Sequence, residues 1–299
     1  MTIPLQLRGV RRAFRRPFRR PPVVAISDAT FELAAGEIAC VVGAAGSGKT
    51  TLLRLAAGVL RPDAGIIRVA GDSPGSLTAR RVVGFAPRDP IFPPALTVRE
   101  VLEYCARGHA GGSARVALVR EALAFGGLED VAGRRATMLP IPAARRLLLA
   151  QGALGGRRVL LVDDPFTGLD AISRRDLSDR LQRLAAAGAS VLLSSADPVG
   201  LERLVDRVLV LRAGRIARDA PATVLLGGRV LEVLMDAPPG DPPPGFRVTA
   251  TGLEADLGHK SAEAALALCR AHRLAVRASR VRLKGLDDAL FDPYEAVPR

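Results

Sequence analysis

The chain contains no tryptophan, three cysteines, three histidines and only 4% aromatic residues. Each scarcity excludes something. Cys40, Cys105 and Cys269 are scattered. They have neither the spacing of a metal knuckle nor the density of a disulfide framework, so packing cysteines in a reducing compartment are expected. His109, His259 and His272 are equally dispersed, and no metal site built by such side chains is expected. No apolar run approaches the ~20 residues that span a bilayer. The arginine-rich N-terminus lacks the apolar core of a secretion signal. Aromatics are few, with only Phe14 and Phe18 among the N-terminal arginines, which argues against single-stranded nucleic acid. No nucleic-acid partner is therefore expected, and a cytoplasmic protein is.

What is present is length, apolar mass and positive charge. The 299 residues are enough for about two domains, and 48% are hydrophobic, which supports a core. The net charge is +13, almost all from arginine. Residues 1–22 carry seven arginines and no acid. Such a stretch fits an anionic lipid surface, a nucleic-acid contact or simply a solvated loop; the paucity of aromatics weakens the nucleic-acid option most.

Local patterns alternate between strand and helix. Leu5–Arg8, Thr30–Leu33 and Ile66–Val69 read as strands, and Gly71-Asp72 as a turn. Thr97 and Glu100 form a capping box opening a helix that runs to about Arg107. Ser113 is expected to cap a second helix that stops near Gly126-Gly127. A third spans Ala143–Leu154, with Pro142 in its first turn. Val159–Val162 and Ser190–Ser194 are continuous runs of buried-strand type. Between them, residues 171–187 are amphipathic and end at Gly188. Val208–Leu211 and Arg215-Ile216 flank a turn. This order predicts an α/β sheet with a helical insert near 97–154. A boundary is expected near Gly227-Gly228. Beyond it come strands at Val230–Val233, Phe246–Thr249 and Leu274–Leu283, with a helix over 261–272. The domains are thus placed at 1–226 and 227–299.

The most specific segment is Gly43-Ala44-Ala45-Gly46-Ser47-Gly48-Lys49-Thr50, between the apolar run Ile38–Val42 and a helical run from Thr51. Strand, glycine loop and helix in that order make a phosphate loop. Glycines let successive N–H groups turn toward phosphate oxygens, and the helix N-terminus adds its positive end. Lys49 reaches the β/γ-phosphates and Thr50 offers its hydroxyl to Mg²⁺. Val159–Val162 ends in Asp163-Asp164, at the strand end where open α/β sheets place ligands. Asp163 is the expected metal-side carboxylate. Asp164 is a weak candidate for the base, with a strand-end turn as the alternative.

Residues 5–216 resemble the nucleotide-binding domain of ATP-binding cassette (ABC) transporters. The phosphate loop carries the resemblance, with Leu160–Pro165, Thr167-Gly168-Leu169-Asp170, Leu60–Gly65 and Asp206–Ile216. It implies a P-loop cassette: RecA-like core sheet, antiparallel β subdomain and helical insert, here with a small C-terminal α+β domain. It implies an aromatic at Phe14 stacking on adenine, with Gly43, Gly46, Ser47, Gly48, Lys49, Thr50, Thr51 and Arg88 around ATP, and Thr50 and Asp163 around Mg²⁺. A head-to-tail dimer is implied too, each nucleotide lying between one phosphate loop and the partner's LSGGQ signature.

Four positions depart from that pattern. The signature falls on Leu139-Pro140-Ile141-Pro142-Ala143, the Q-loop glutamine on Arg88, the catalytic glutamate on Asp164 and the switch histidine on Ala196. Proline has no N–H to donate. Loss of a positioned base typically costs ~10²–10⁴-fold, and loss of a transition-state donor ~10²–10³-fold. An ATP-binding, hydrolysis-poor subunit is expected, an ATPase by resemblance that turns over weakly in a homodimer. Its expected partners are a separate transmembrane permease and a second ABC ATPase subunit, hetero- or homodimeric, which would hold it on the inner face of the membrane. Residues 229–291 resemble the C-terminal appendage of daunorubicin-type exporter ATPases through Val281–Phe291. That implies an ABC-2 permease, contacted near Arg88–Val98 through Phe92 and Leu96. The alternative is a non-transport regulatory ABC protein with a soluble or nucleic-acid partner.

Overall fold

In sequence order the elements are β1 (Leu5–Phe14), β2 (Val23–Leu33), β3 (Ile38–Val42), α1 (Lys49–Ala56), β4 (Ala64–Val69), α2 (Leu77–Val82), β5 (Val83–Ala86), α3 (Val98–Ala106), α4 (Gly112–Gly126), α5 (Ile141–Ala153), β6 (Val159–Asp163), α6 (Ala171–Ala186), β7 (Ser190–Ser195), β8 (Arg207–Arg212) and β9 (Arg215–Pro221). They come from a computed structural model that describes residues 3–15, 21–196, 201, 203–225, 228–257 and 261–283. Two compact units are distinguished, one of Met1–Ala196 with Leu204–Asp219, the other of Asp197–Arg203 with Ala220–Arg299.

In the first unit, β3, β6 and β7 are buried along their whole length. Both faces are covered, which is why their sequences are continuous apolar runs rather than alternations. They belong to a nine-stranded sheet of order β4-β1-β2-β9-β8-β3-β7-β6-β5. β3 pairs parallel with β7 and β8, and β6 with β5 and β7. β1 is antiparallel to β2 and β4. Leu5, Leu7, Ile26, Leu33, Leu52, Leu53 and Leu55 share one core with Val41, Leu161, Leu192 and Leu209. The antiparallel ribbon and α1 therefore close over one face of the parallel sheet. The register pairs Val42 with Ser195 and Asp163 with Ser194. The glycine loop, both aspartates and Ala196 thus leave three adjacent strands at one edge.

The helical insert holds α3, α4 and α5. Thr97 and Glu100 make both reciprocal bonds of the capping box at α3. Ser113 does not cap α4: its N-cap is Gly111, with no side-chain bond, and Ser113 lies inside the helix. Two consecutive glycines let the chain enter helical conformation before the serine is reached. α5 begins at Ile141, two residues before the expected Ala143, because Pro140 takes the N-cap and Pro142 fits the first turn. The parallel core, antiparallel ribbon and helical insert are the fold class expected from the sequence, and a small α+β unit follows.

That second unit contains α7 (Ala222–Leu225), β10 (Arg229–Leu234), β11 (Phe246–Thr249), β12 (Gly252–Asp256), α8 (Ala262–Ala271) and β13 (Ala278–Leu283). Its antiparallel sheet runs β11-β12-β10-β13. Leu231, Val233, Phe246, Leu253 and Ala255 pack with Ala265 and Cys269 of α8. Across the strands, Glu232 pairs with Arg280 and Arg282, and Glu254 with Arg247. β13 starts at Ala278, not at the expected Leu274, which instead packs against the unit's core. Residues 284–291, which complete the phrase likened to exporter ATPases, lie outside the described residues. Arg16, Arg19 and Arg20 of the N-terminal arginine stretch do too.

Candidate nucleotide site

The glycine loop links buried β3 to α1, and its glycines answer three different demands. Gly43 lies where a Cβ would fall 2.4 Å from the Leu211 carbonyl oxygen and 2.7 Å from Ser47 Oγ. Gly48 is the N-cap of α1 with φ 109°; a Cβ there would be 2.3 Å from the Ala25 carbonyl oxygen on β2. Gly46 has φ 79° and opens onto free space. Side chains are excluded at the first two by packing, and disfavoured at the last two by conformation.

Lys49 Nζ donates to the Gly43 carbonyl at 2.7 Å and the Ala44 carbonyl at 3.0 Å. Its ammonium therefore lies along the inside of the loop. Burial pushes its pKa below the ordinary lysine value, opposed by the charges of Asp164 and Asp163. Ser47 Oγ is buried with no hydrogen-bond partner among the described residues. An unpartnered hydroxyl, an ammonium and an open glycine on one loop fit a phosphate chain. Thr51 is half-buried in the first turn of α1. Below the loop, Cys40 is fully enclosed, and burial pushes its thiol up to about 12.

Thr50 and Asp163 come together from α1 and β6. The Thr50 hydroxyl donates to Asp163 Oδ1 at 3.2 Å. Ser194 on β7 donates to the same oxygen at 2.5 Å and accepts from the Asp164 N–H at 3.0 Å. Ser194 was not singled out from sequence, although a hydroxyl inside an apolar buried strand is itself a signal. A hydroxyl and a carboxylate side by side are the hard oxygen donors that suit Mg²⁺.

Asp164 is buried and non-glycine, yet has φ 47°. Such a conformation costs an L residue energy and persists where surroundings over-determine it. Thr167 Oγ1 lies 2.9 Å from each carboxylate oxygen, and Arg88 Nε lies 3.3 Å from Oδ2. Arg88 and Asp164, expected separately, are thus ion-pair partners. Arg145, buried on α5, donates to the Arg88 carbonyl and lies 3.5 Å from that of Thr167. It was also missed from sequence; its register with Leu148 and Leu149 on α5 is the signal that it faces inward.

Phe14 ends β1 and pairs with Val23, two residues from the Ala25 that abuts Gly48. Its ring is half-exposed, with the Arg12 guanidinium 5.0 Å from the centroid. Asp63 holds that guanidinium at 2.8 Å. At α5, Pro140 and Pro142 leave the helix start without two N–H groups, and Met138 and Ile141 are exposed beside it. Ala196 offers no titratable group at the end of β7. Phe92 is buried, contrary to its expected place on an open groove, while its neighbour Ile91 is 87% exposed. The ring turns inward and leaves the aliphatic residue on the surface.

Phosphate loop, paired strand-end aspartates, antiparallel ribbon and helical insert define an ABC-type ATPase cassette. Residues 26–167 match the ABC transporter family. The chain is 35% identical over 236 residues to the Nod factor export ATP-binding protein I of Bradyrhizobium sp. (strain SNU001), covering 77% of this chain and 75% of the relative. It is 35% identical over 212 residues to the molybdenum import ATP-binding protein ModC of Mycobacterium tuberculosis (strain ATCC 25618 / H37Rv), covering 67% and 58%. A solved dimer of a bacterial ABC transporter cassette superposes with a TM-score of 0.67 at 22% identity, over 73% of this chain and 98% of that one. The chain belongs to the ATP-binding subunits of ABC transporters. Membership brings a transmembrane permease and a second ATPase subunit as partners. No helix among the described residues is long and apolar enough to cross a membrane.

Proposed function

We propose that this subunit binds Mg-ATP firmly and hydrolyses it poorly, serving an ABC-2 type exporter beside a more competent cassette. Gly43, Gly46, Ser47, Gly48 and Lys49 hold the phosphates, Thr51 adds to the first turn beneath them, and Phe14 carries the adenine. Thr50 and Asp163 hold Mg²⁺, which when bound neutralises phosphate charge. The observation that carries the reading is a contrast within one site. The groups that act on phosphate and metal from this chain are assembled around Lys49, Thr50 and Asp163. The α5 start that faces a partner's nucleotide in the family dimer has Pro140 and Pro142 in place of donors.

In such a pair, this chain's phosphate loop meets the partner's signature and holds ATP for long periods. The partner's loop meets Leu139–Ala143, a poor lid. The Bradyrhizobium relative, a Nod factor export ATP-binding protein, speaks for export; the likeness to daunorubicin-type exporters speaks for an ABC-2 permease. That permease places the subunit peripherally on the inner face of the membrane. Its contact falls on the segment after Arg88, with exposed Ile91 in the place first given to Phe92.

The test follows labelled Mg-ATP on the purified chain in a single turnover, with Lys49→Ala as control. ATP that binds through Lys49 and stays intact for many minutes agrees with the reading. ADP formed at about a turnover per second, within the ordinary enzyme range, refutes it and favours a self-sufficient homodimer.

A further inference from the structure

The ion pair between Arg88 and Asp164 has a role beyond the loss of a glutamine and the shortening of a glutamate. We propose that Arg88 is an inhibitory positioning residue: its guanidinium engages the Asp164 carboxylate and withholds it from the attacking water. This rests on the reading of a hydrolysis-poor ATP site and names one cause of the poor hydrolysis.

Asp164 is well placed for a base. It follows the metal-side Asp163 at the end of β6, and its N–H is fixed to Ser194 at 3.0 Å. In hydrolysis, the water oxygen bonds to the γ-phosphorus as the bond to the β,γ-bridging oxygen breaks. That oxygen leaves with ADP, and the water proton passes to a carboxylate oxygen. In this chain both oxygens are engaged. Thr167 Oγ1 reaches either at 2.9 Å, and Arg88 holds Oδ2 at 3.3 Å. The carboxylate is 8% exposed, so few waters compete with these partners.

The arrangement is also built. Arg145, rooted in α5, bonds the Arg88 backbone carbonyl and reaches toward that of Thr167. It ties the segment bearing the cation to the turn bearing the second donor. Asp164 keeps a left-handed backbone at φ 47° between them. A guanidinium in this frame approaches the carboxylate from a fixed side, whereas a neutral glutamine would bring no charge to it.

The test is single-turnover hydrolysis of Mg-ATP by the full chain in six forms: wild type, R88Q, R88A, R88K, D164N and R88Q/D164N. Removal of the cation is expected to raise the rate at least ~10-fold, part of the ~10²–10⁴-fold a positioned base supplies. R88K keeps a cation and should stay slower than R88Q. R88Q/D164N should lose the gain, because no base remains to be freed. Arg88→Ala serves as a second neutral variant, with melting temperatures confirming folding. Neutral variants no faster than wild type overturn the proposal, as does a gain that survives D164N. Wild type that binds no ATP refutes the nucleotide-site reading itself, a result distinct from bound ATP with no gain.

Discussion

The glycine loop makes a quantitative comparison possible, because two of its glycines share a conformation but not an environment. Gly46 and Gly48 both have positive φ, 79° and 109°. An alanine at either pays for left-handed backbone, about 1–2 kcal/mol. At Gly46 nothing lies within 4 Å of the added Cβ; at Gly48 the Ala25 carbonyl oxygen lies at 2.3 Å and Ile26 Cδ1 at 2.9 Å. The oxygen is backbone of β2, held in the sheet, and cannot swing aside. Overpacking of that kind costs about 1–3 kcal/mol. Gly48→Ala should therefore be about 2 kcal/mol less stable than Gly46→Ala. For a unit of this size, that corresponds to about 4–8 °C in Tm. Calorimetry of the nucleotide-free variants, following the transition of the cassette unit, checks it. Equal melting temperatures, or a lower one for Gly46→Ala, would refute the account of β2 as a wall behind the loop.

Thr97→Ala removes a complete capping box and should cost about 1 kcal/mol, lowering the cassette's Tm by about 2–4 °C; Thr97→Ser should restore most of it. Ser194→Ala leaves a buried Asp164 N–H without its acceptor and takes from Asp163 Oδ1 the closer of its two donors. The expected loss is about 1–3 kcal/mol, read by the same calorimetry. Cys40 should stay unmodified when the native protein meets a thiol reagent at pH 8 and react once denatured, as peptide mass spectrometry will report. Its thiol is raised from 9.0 to about 12 in the fold, chiefly by burial. The unfolded chain therefore releases that proton first, and stability falls as pH rises from 9 toward 12. Cys40→Ala should show a shallower fall over the same window.

The parts legible in sequence are those whose chemistry is local. Strand, glycine loop and helix are contiguous, so the phosphate loop could be read directly. The Thr97–Glu100 box spans one turn and formed as expected. Ser113 misled because a cap depends on where the backbone first turns helical, and Gly111-Gly112 move that point upstream. Phe92 misled for another reason: which of two adjacent apolar residues turns inward is decided by packing, not by hydrophobicity. The contacts that distinguish this site join residues far apart in the chain. Arg88 meets Asp164, Arg145 meets Arg88 and Thr167, and Ser194 braces two aspartates. A charge in the sequence does not name its partner; the register of β6 beside β7 and the inward face of α5 do.

That brace has a consequence for how the molecule tolerates change. The floor of the site is cross-linked through the sheet. Gly43 packs on the β8 backbone, Gly48 on β2, and Asp163 is tied to both α1 and β7. Substitutions there break architecture as well as activity. The surface is another matter, since Arg88 and Ala196 beside the site, and Pro140 and Ile141 at the start of α5, are exposed. Replacement there leaves the sheet intact and alters only what happens above it. Changes at the exposed positions can thus leave the receptacle sound, whereas a change at buried Asp164 touches the floor itself.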